Sequence, residues 1–227
     1  MKKIIHQFKI FFRQGLRADW ADKEKLLTPF FFSASLLILF VFAGGEQVSQ
    51  ESRSTLFLAE ALLTLFFTLQ TIYLRIFSAE EDDGVFTLAL TYPVSQQAVF
   101  LSKICLSTLW GTCVTLPSLL LNYLFHGIDF GFAVLFGISF LVLLSLGSLG
   151  VLLSALTLRA SGREVLFPIL YFLLSSPVLL AASQALLAYL TDEPSMLRWV
   201  GLLGACDLIY LSLGLILFDE IFEQSSS

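Results

Sequence analysis

The chain has 227 residues and a net charge of −5; 57% of its residues are hydrophobic and 14% charged, where a soluble domain carries roughly 45–50% and about 25%. This balance excludes a water-soluble globule, and with no overall basic field nucleic-acid binding is set aside. Leu and the 23 Phe residues gather in blocks that approach or exceed the about 18 to 20 apolar residues needed to cross a ~30 Å hydrocarbon core, so the fold class is an all-α integral membrane protein.

Residues 1–25 carry seven Lys or Arg, and their apolar residues are interrupted every few positions, which predicts no cleaved signal. Ile4, Ile5, Phe8, Phe11, Phe12, Leu16 and Trp20 recur at helical spacing, with Lys2, Lys3, Lys9, Arg13, Gln14 and Arg17 mostly opposite. An amphipathic helix lying in the membrane surface is expected. It reads either as an elbow that joins the bundle to a cytoplasmic partner or as a plain anchor.

Six apolar blocks follow: Leu26 to Gly44, Leu56 to Phe77, Ile104 to Phe125, Phe130 to Leu158, Val165 to Leu190 and Trp199 to Phe218. Six transmembrane helices are predicted, forming one domain over 26–218 with a tail at 219–227. The fourth and fifth blocks contain no charge; the second holds Glu60 and Arg75, the sixth Asp207. Pro117, Pro168 and Pro177 fall inside spans, where each removes a backbone donor and favours a kink. Small pairs four apart, Gly111 with Thr115, Gly150 with Ser154 and Gly201 with Ala205, allow close helix approach in lipid.

Basic residues accumulate on the cytoplasmic side of a membrane. With alternating spans, Lys2, Lys3, Lys9, Arg13, Arg17, Lys23, Lys25, Arg75, Lys103, Arg159 and Arg163 share one side and only Arg53 and Arg198 the other. Both termini are therefore expected in the cytoplasm. The outer loops are short, so function belongs to the bundle or its cytoplasmic face.

The segment from Arg75 to Lys103 is longer than a hairpin connection needs. Ser78 with Glu81 is a capping-box pattern, and Glu80, Glu81, Asp82 and Asp83 put negative charge where a helix N-terminus favours it. A short helix from Ser78 to Thr91 is predicted, with Val85, Leu88, Ala89 and Tyr92 on one face. Tyr92 before Pro93 ends it, and Ser95 begins a new helix that runs through Lys103 into the third span. An apolar face on a cytoplasmic loop needs the membrane or a protein groove to cover it.

The order of acidic cluster, Gly84, Leu88, Leu90, Pro93, Ser95, Leu101 and Lys103 resembles the loop of permease subunits in type-2 ABC exporters, which supplies the coupling helix that docks on an ATPase. More specifically, the length, the six spans, Arg75 ahead of Asp82-Asp83-Gly84, and the stretch from Thr157-Leu158-Arg159 to Pro177-Val178-Leu179 resemble the CcmB family, heme exporter protein B of cytochrome c maturation. The chain departs from the family pattern at Val85 and Thr87, where a small polar residue and an acidic one are usual. The resemblance implies an ATPase-docking loop over 78–97, with Glu80, Glu81, Asp82, Asp83, Gly84, Val85, Leu88, Tyr92 and Pro93 at the contact. It also implies a cytoplasmic ABC ATPase subunit as partner, a second permease copy or related subunit, other cytochrome c maturation membrane subunits, and a place in the bacterial inner membrane. Heme, or release of a heme-loaded chaperone, is the cargo the family suggests; ATP would act through the partner.

The remaining candidates each have a plain reading. Glu60 lies about one turn inside the second span and Asp207 about two turns inside the sixth; intramembrane charge is costly and marks function by default. Glu60 is close enough to the outer surface to reach water or Arg53, and Asp207 can be protonated or bonded across helices. His126, between the third and fourth spans, is either a solvated loop histidine or a heme contact. No Walker loop, G-x-S-x-G elbow or H-E-x-x-H is present, so the chain reads as a transporter subunit without catalysis or a bound cofactor of its own. Cys105, Cys113 and Cys206 form no metal-type spacing. A permease for a lipid, drug or glycan is the near alternative; a membrane scaffold that transports nothing is the distant one.

Overall fold

The computed structural model describes residues 2–21, 23–44, 50–74, 76–77, 95–126, 131–158, 160 and 162–224. Among these the regular structure is all helical: α1 (Lys2–Ala21), α2 (Lys23–Gly44), α3 (Gln50–Leu74), α4 (Gln96–His126), α5 (Phe132–Thr157), α6 (Arg163–Leu190) and α7 (Met196–Gln224). The helices follow the expected order. α4 starts immediately after Ser95, whose carbonyl accepts from Ala98 N and Val99 N at 3.0 and 3.3 Å. The segment predicted as a short helix over Ser78 to Thr91 lies outside the described residues.

Five helices, α3 to α7, are long and apolar enough to cross a membrane. α2 contributes the shorter apolar stretch Leu27–Ala43, so of the six expected spans five meet the length criterion. The helices continue through Pro117, Pro168 and Pro177, and α2 also contains Pro29.

α5 is the hub, packed against α3, α4, α6 and α7. Of its apolar window 67% is buried within the chain, against 22% for α7. Its sequence explains this: Gly147, Ser148, Gly150 and Ser154 replace large side chains with small ones, and in lipid close backbone approach is what holds helices together. A Cβ at Gly150 would fall within the Tyr73 ring of α3, and one at Gly111 of α4 would meet Leu143 of α5 and Leu69 of α3. Two of the three small pairs therefore mark helix contacts. The third does not: Gly201 has open space around it and Ala205 is exposed.

α3 and α6 meet through aromatic rings. Tyr171 stacks between Phe66, at 5.2 Å between centroids, and Phe167, at 5.4 Å, while Tyr73 tilts against it at 5.8 Å. All four are fully buried, so the helices are held there by van der Waals contact together with ring-pair geometry worth about 0.5–1.5 kcal/mol. α6 and α7 are tied by Tyr210, which donates to the Leu174 carbonyl at 2.6 Å.

α1 takes a different position from a helix lying flat beside the bundle. It runs in the same direction as α4 and alongside it: Gln7 meets Ser95, a Cβ at Gly15 would meet Leu106, and Asp19 meets Trp110. α1 packs along the first half of α4, past Leu106 to Trp110. Ile5, Ile10 and Trp20 stay exposed.

Candidate functional site

The residues expected to contact a partner, Glu80, Glu81, Asp82, Asp83, Gly84, Val85, Leu88, Tyr92 and Pro93, lie outside the described residues. The structure describes the two places where that loop is rooted, and both are held by side chains from elsewhere in the chain.

The first root is the end of α3. The last carbonyls of a helix have no donor within it. Here Ser154 of α5 donates to Tyr73 O at 2.8 Å, and Arg163 donates through Nη2 to Leu74 O at 2.6 Å. The same Nη2 lies 3.3 Å from Ser154 Oγ. A guanidinium at a helix C-terminus satisfies the orphan acceptor and complements the negative end of the dipole. Arg163 reaches this position because Gly162 before it takes the left-handed conformation, φ 88°, which L residues with a Cβ adopt only at a cost. That turn brings the start of α6 back against α3.

Past α3, Lys103 of α4 donates to Ile76 O at 3.1 Å and sits 5.3 Å from the centre of the Phe77 ring. Phe77 is 1% exposed and packs on Phe218 of α7, which in turn lies 5.1 Å from Phe100 of α4. Gly214 makes room for that last ring: a Cβ there would overlap Phe100. The chain thus leaves α3 clamped by two cations and an aromatic cluster drawn from α4, α6 and α7.

The second root is Ser95. Its backbone N–H donates to Gln7 Oε1 of α1 at 3.0 Å. Farther along the same seam Trp110 Nε1 donates to Asp19 Oδ2 at 3.0 Å, and the Trp20 and Trp110 rings lie 6.0 Å apart.

The intramembrane candidates separate. Asp207 is 5% exposed and accepts a hydrogen bond from Ser145 Oγ of α5 at 2.5 Å; the bond across helices joins α7 to the hub. Glu60 is also 5% exposed, so it faces the protein interior and not open water. The structure does not bring Glu60, Asp207 and the loop roots into one site. His126 is the last residue of α4. Among the described residues no three His, Cys, Asp or Glu side chains converge.

Sequence reasoning missed Gln7, Asp19, Ser145 and Ser154 as partners, and treated Arg163 only as an orientation marker. Ser154 had a signal in its pairing with Gly150. Gln7 and Asp19 had none, because their partners are about ninety positions away.

The family model described as "CcmB protein" matches residues 6–219. Comparison with curated proteins returns no match.

Proposed function

The chain belongs to the CcmB family, and from that premise we propose that it is the permease subunit of an ABC transporter complex in cytochrome c maturation, moved by a separate cytoplasmic ATPase. The coarser part follows from the family: a membrane component of the heme exporter system, not itself an enzyme. The finer part is the docking role of the loop over 78–97, with the Val85, Leu88 and Tyr92 face as the contact.

One observation supports that role above the others. Both roots of the loop are bonded to helices outside it: Leu74 and Ile76 to Arg163 and Lys103, and Ser95 to Gln7. A force applied to the loop is thereby shared by α1, α3, α4 and α6, as a coupling element requires. Two permease halves are required for an ABC transporter, so a second copy or a related subunit completes the complex in the bacterial inner membrane, with both termini cytoplasmic. Heme, or release of a heme-loaded chaperone, is the cargo.

The deciding experiment is ATP hydrolysis by the complex purified with its candidate ATPase, with and without heme or the heme-loaded chaperone. Stimulation by either supports the assignment. Hydrolysis indifferent to both, but raised by a lipid, drug or glycan, would move the chain to another permease class.

A further inference from the structure

Hydroxyls inside the spans commonly return their proton to the carbonyl three or four residues back. Thr71 donates to Thr68 O at 2.7 Å, Thr112 to Thr108 O at 2.7 Å, Ser118 to Val114 O at 2.8 Å and Thr157 to Leu153 O at 2.8 Å. Thr64 and Thr68 of α3 do not. They stand one turn apart on one face of the helix, are 1% and 3% exposed, and their Oγ1 atoms have no hydrogen-bond partner among the described residues. A buried hydroxyl without a partner is costly, and a hydrocarbon core offers no bulk water to supply one.

Both threonines line a cavity of about 10 Å³ between α2, α3 and α4, on the order of the 10–15 Å³ that one water needs. Thr115 and Ser118 line it from α4, among apolar walls that include Leu37, Leu65 and Leu69. A buried water makes about three hydrogen bonds to polar groups, and these four hydroxyls can supply them. We propose that the cavity holds one water molecule, which bridges Thr64 and Thr68 of α3 to Thr115 and Ser118 of α4. At this level the contact between the two helices joined by the segment after Leu74 then includes an exchangeable molecule. The inference stands apart from the role that the family gives the chain.

The test uses the full chain in nanodiscs and radiolytic hydroxyl labelling, in which water split in place by X-rays oxidises the side chains beside it. Leu69, which lines the cavity, should be modified several-fold more than Leu186 of α6 and Leu203 of α7, which are as deeply buried. Thr64→Val combined with Thr68→Val keeps the side-chain shapes and removes both hydroxyls, and should bring Leu69 down to the level of the other two. A second readout is the sign of a stability change. A hydroxyl bonded to water loses that bond on substitution, so Thr64→Val and Thr68→Val should each lower the unfolding midpoint in detergent; removing a hydroxyl that has no partner would raise it. Labelling of Leu69 no stronger than that of Leu186 and Leu203 overturns the proposal. So does labelling that survives the loss of both hydroxyls, or a midpoint that rises in both single variants. A midpoint that rises with sodium at an ionic strength held constant with choline, and no longer does so in the double variant, overturns it in favour of a bound cation.

Discussion

Arg163, the first residue of α6, donates to the carbonyl of Leu74, the last residue of α3, at 2.6 Å. The bond ties the start of one helix to the end of another 89 positions away, at the place where the chain leaves α3 for the segment leading to α4.

Arg163→Ala should therefore leave Leu74 O and its neighbourhood short of a donor. An unsatisfied buried acceptor costs about 1–3 kcal/mol. Thermal unfolding in detergent is expected to shift downward, with Arg163→Lys intermediate because a lysine supplies charge without the planar fork. An unchanged midpoint would show that water or another donor replaces the guanidinium at no cost.

Asp207 and Ser145 should couple energetically. Interhelical hydrogen bonds in membrane proteins are worth about 0.6 kcal/mol on average in double-mutant cycles, with a maximum of about 1.7. Asp207→Asn keeps an acceptor for the Ser145 hydroxyl and is expected to stay near the parent; Asp207→Ala and Ser145→Ala are each expected to destabilise. Their combination should cost less than the sum of the two in unfolding titrations in mixed micelles. Strict additivity would mean that the bond contributes nothing.

Gly150→Ala is expected to be far worse than Gly201→Ala. The first places a methyl inside the Tyr73 ring, the second into open space. Overpacking of this kind costs about 1–3 kcal/mol, while an open-site substitution stays within about 0.5 kcal/mol. The comparison of the two unfolding midpoints checks the α3–α5 contact directly.

Substitution of Val85, Leu88 and Tyr92 by Asp should abolish copurification of the ATPase and leave membrane insertion intact. Retained copurification would remove the docking role from this face. Cysteine accessibility at positions 195 and 227 should place them on opposite sides of the membrane; labelling of both from outside would reverse the topology.

Much of the fold is legible in the sequence because length and hydropathy are local quantities. The uncharged blocks from Phe130 to Leu158 and from Val165 to Leu190 became α5 and α6 within two residues at each end. Ser95 marked the start of α4 because helix initiation depends on the residue itself. The position of α1 was not legible: its amphipathic pattern shows that one face needs cover, and a pattern is the same whether lipid or α4 covers it. The clamps on the loop were hidden for a related reason. Arg163 and Lys103 counted equally with nine other cations as markers of sidedness, since charge placement says on which side of a membrane a residue lies and nothing of which carbonyl it reaches.

The two ends of the segment that joins α3 to α4 are each bonded to groups that do not belong to it, much as the ends of a bridge rest on its piers. Arg163 and Lys103 hold one abutment and Gln7 the other. An insertion or deletion between Gln7 and Gly15 would accordingly turn Gln7 away from Ser95 and shift a pier, while the rest of α1 stays seated on α4.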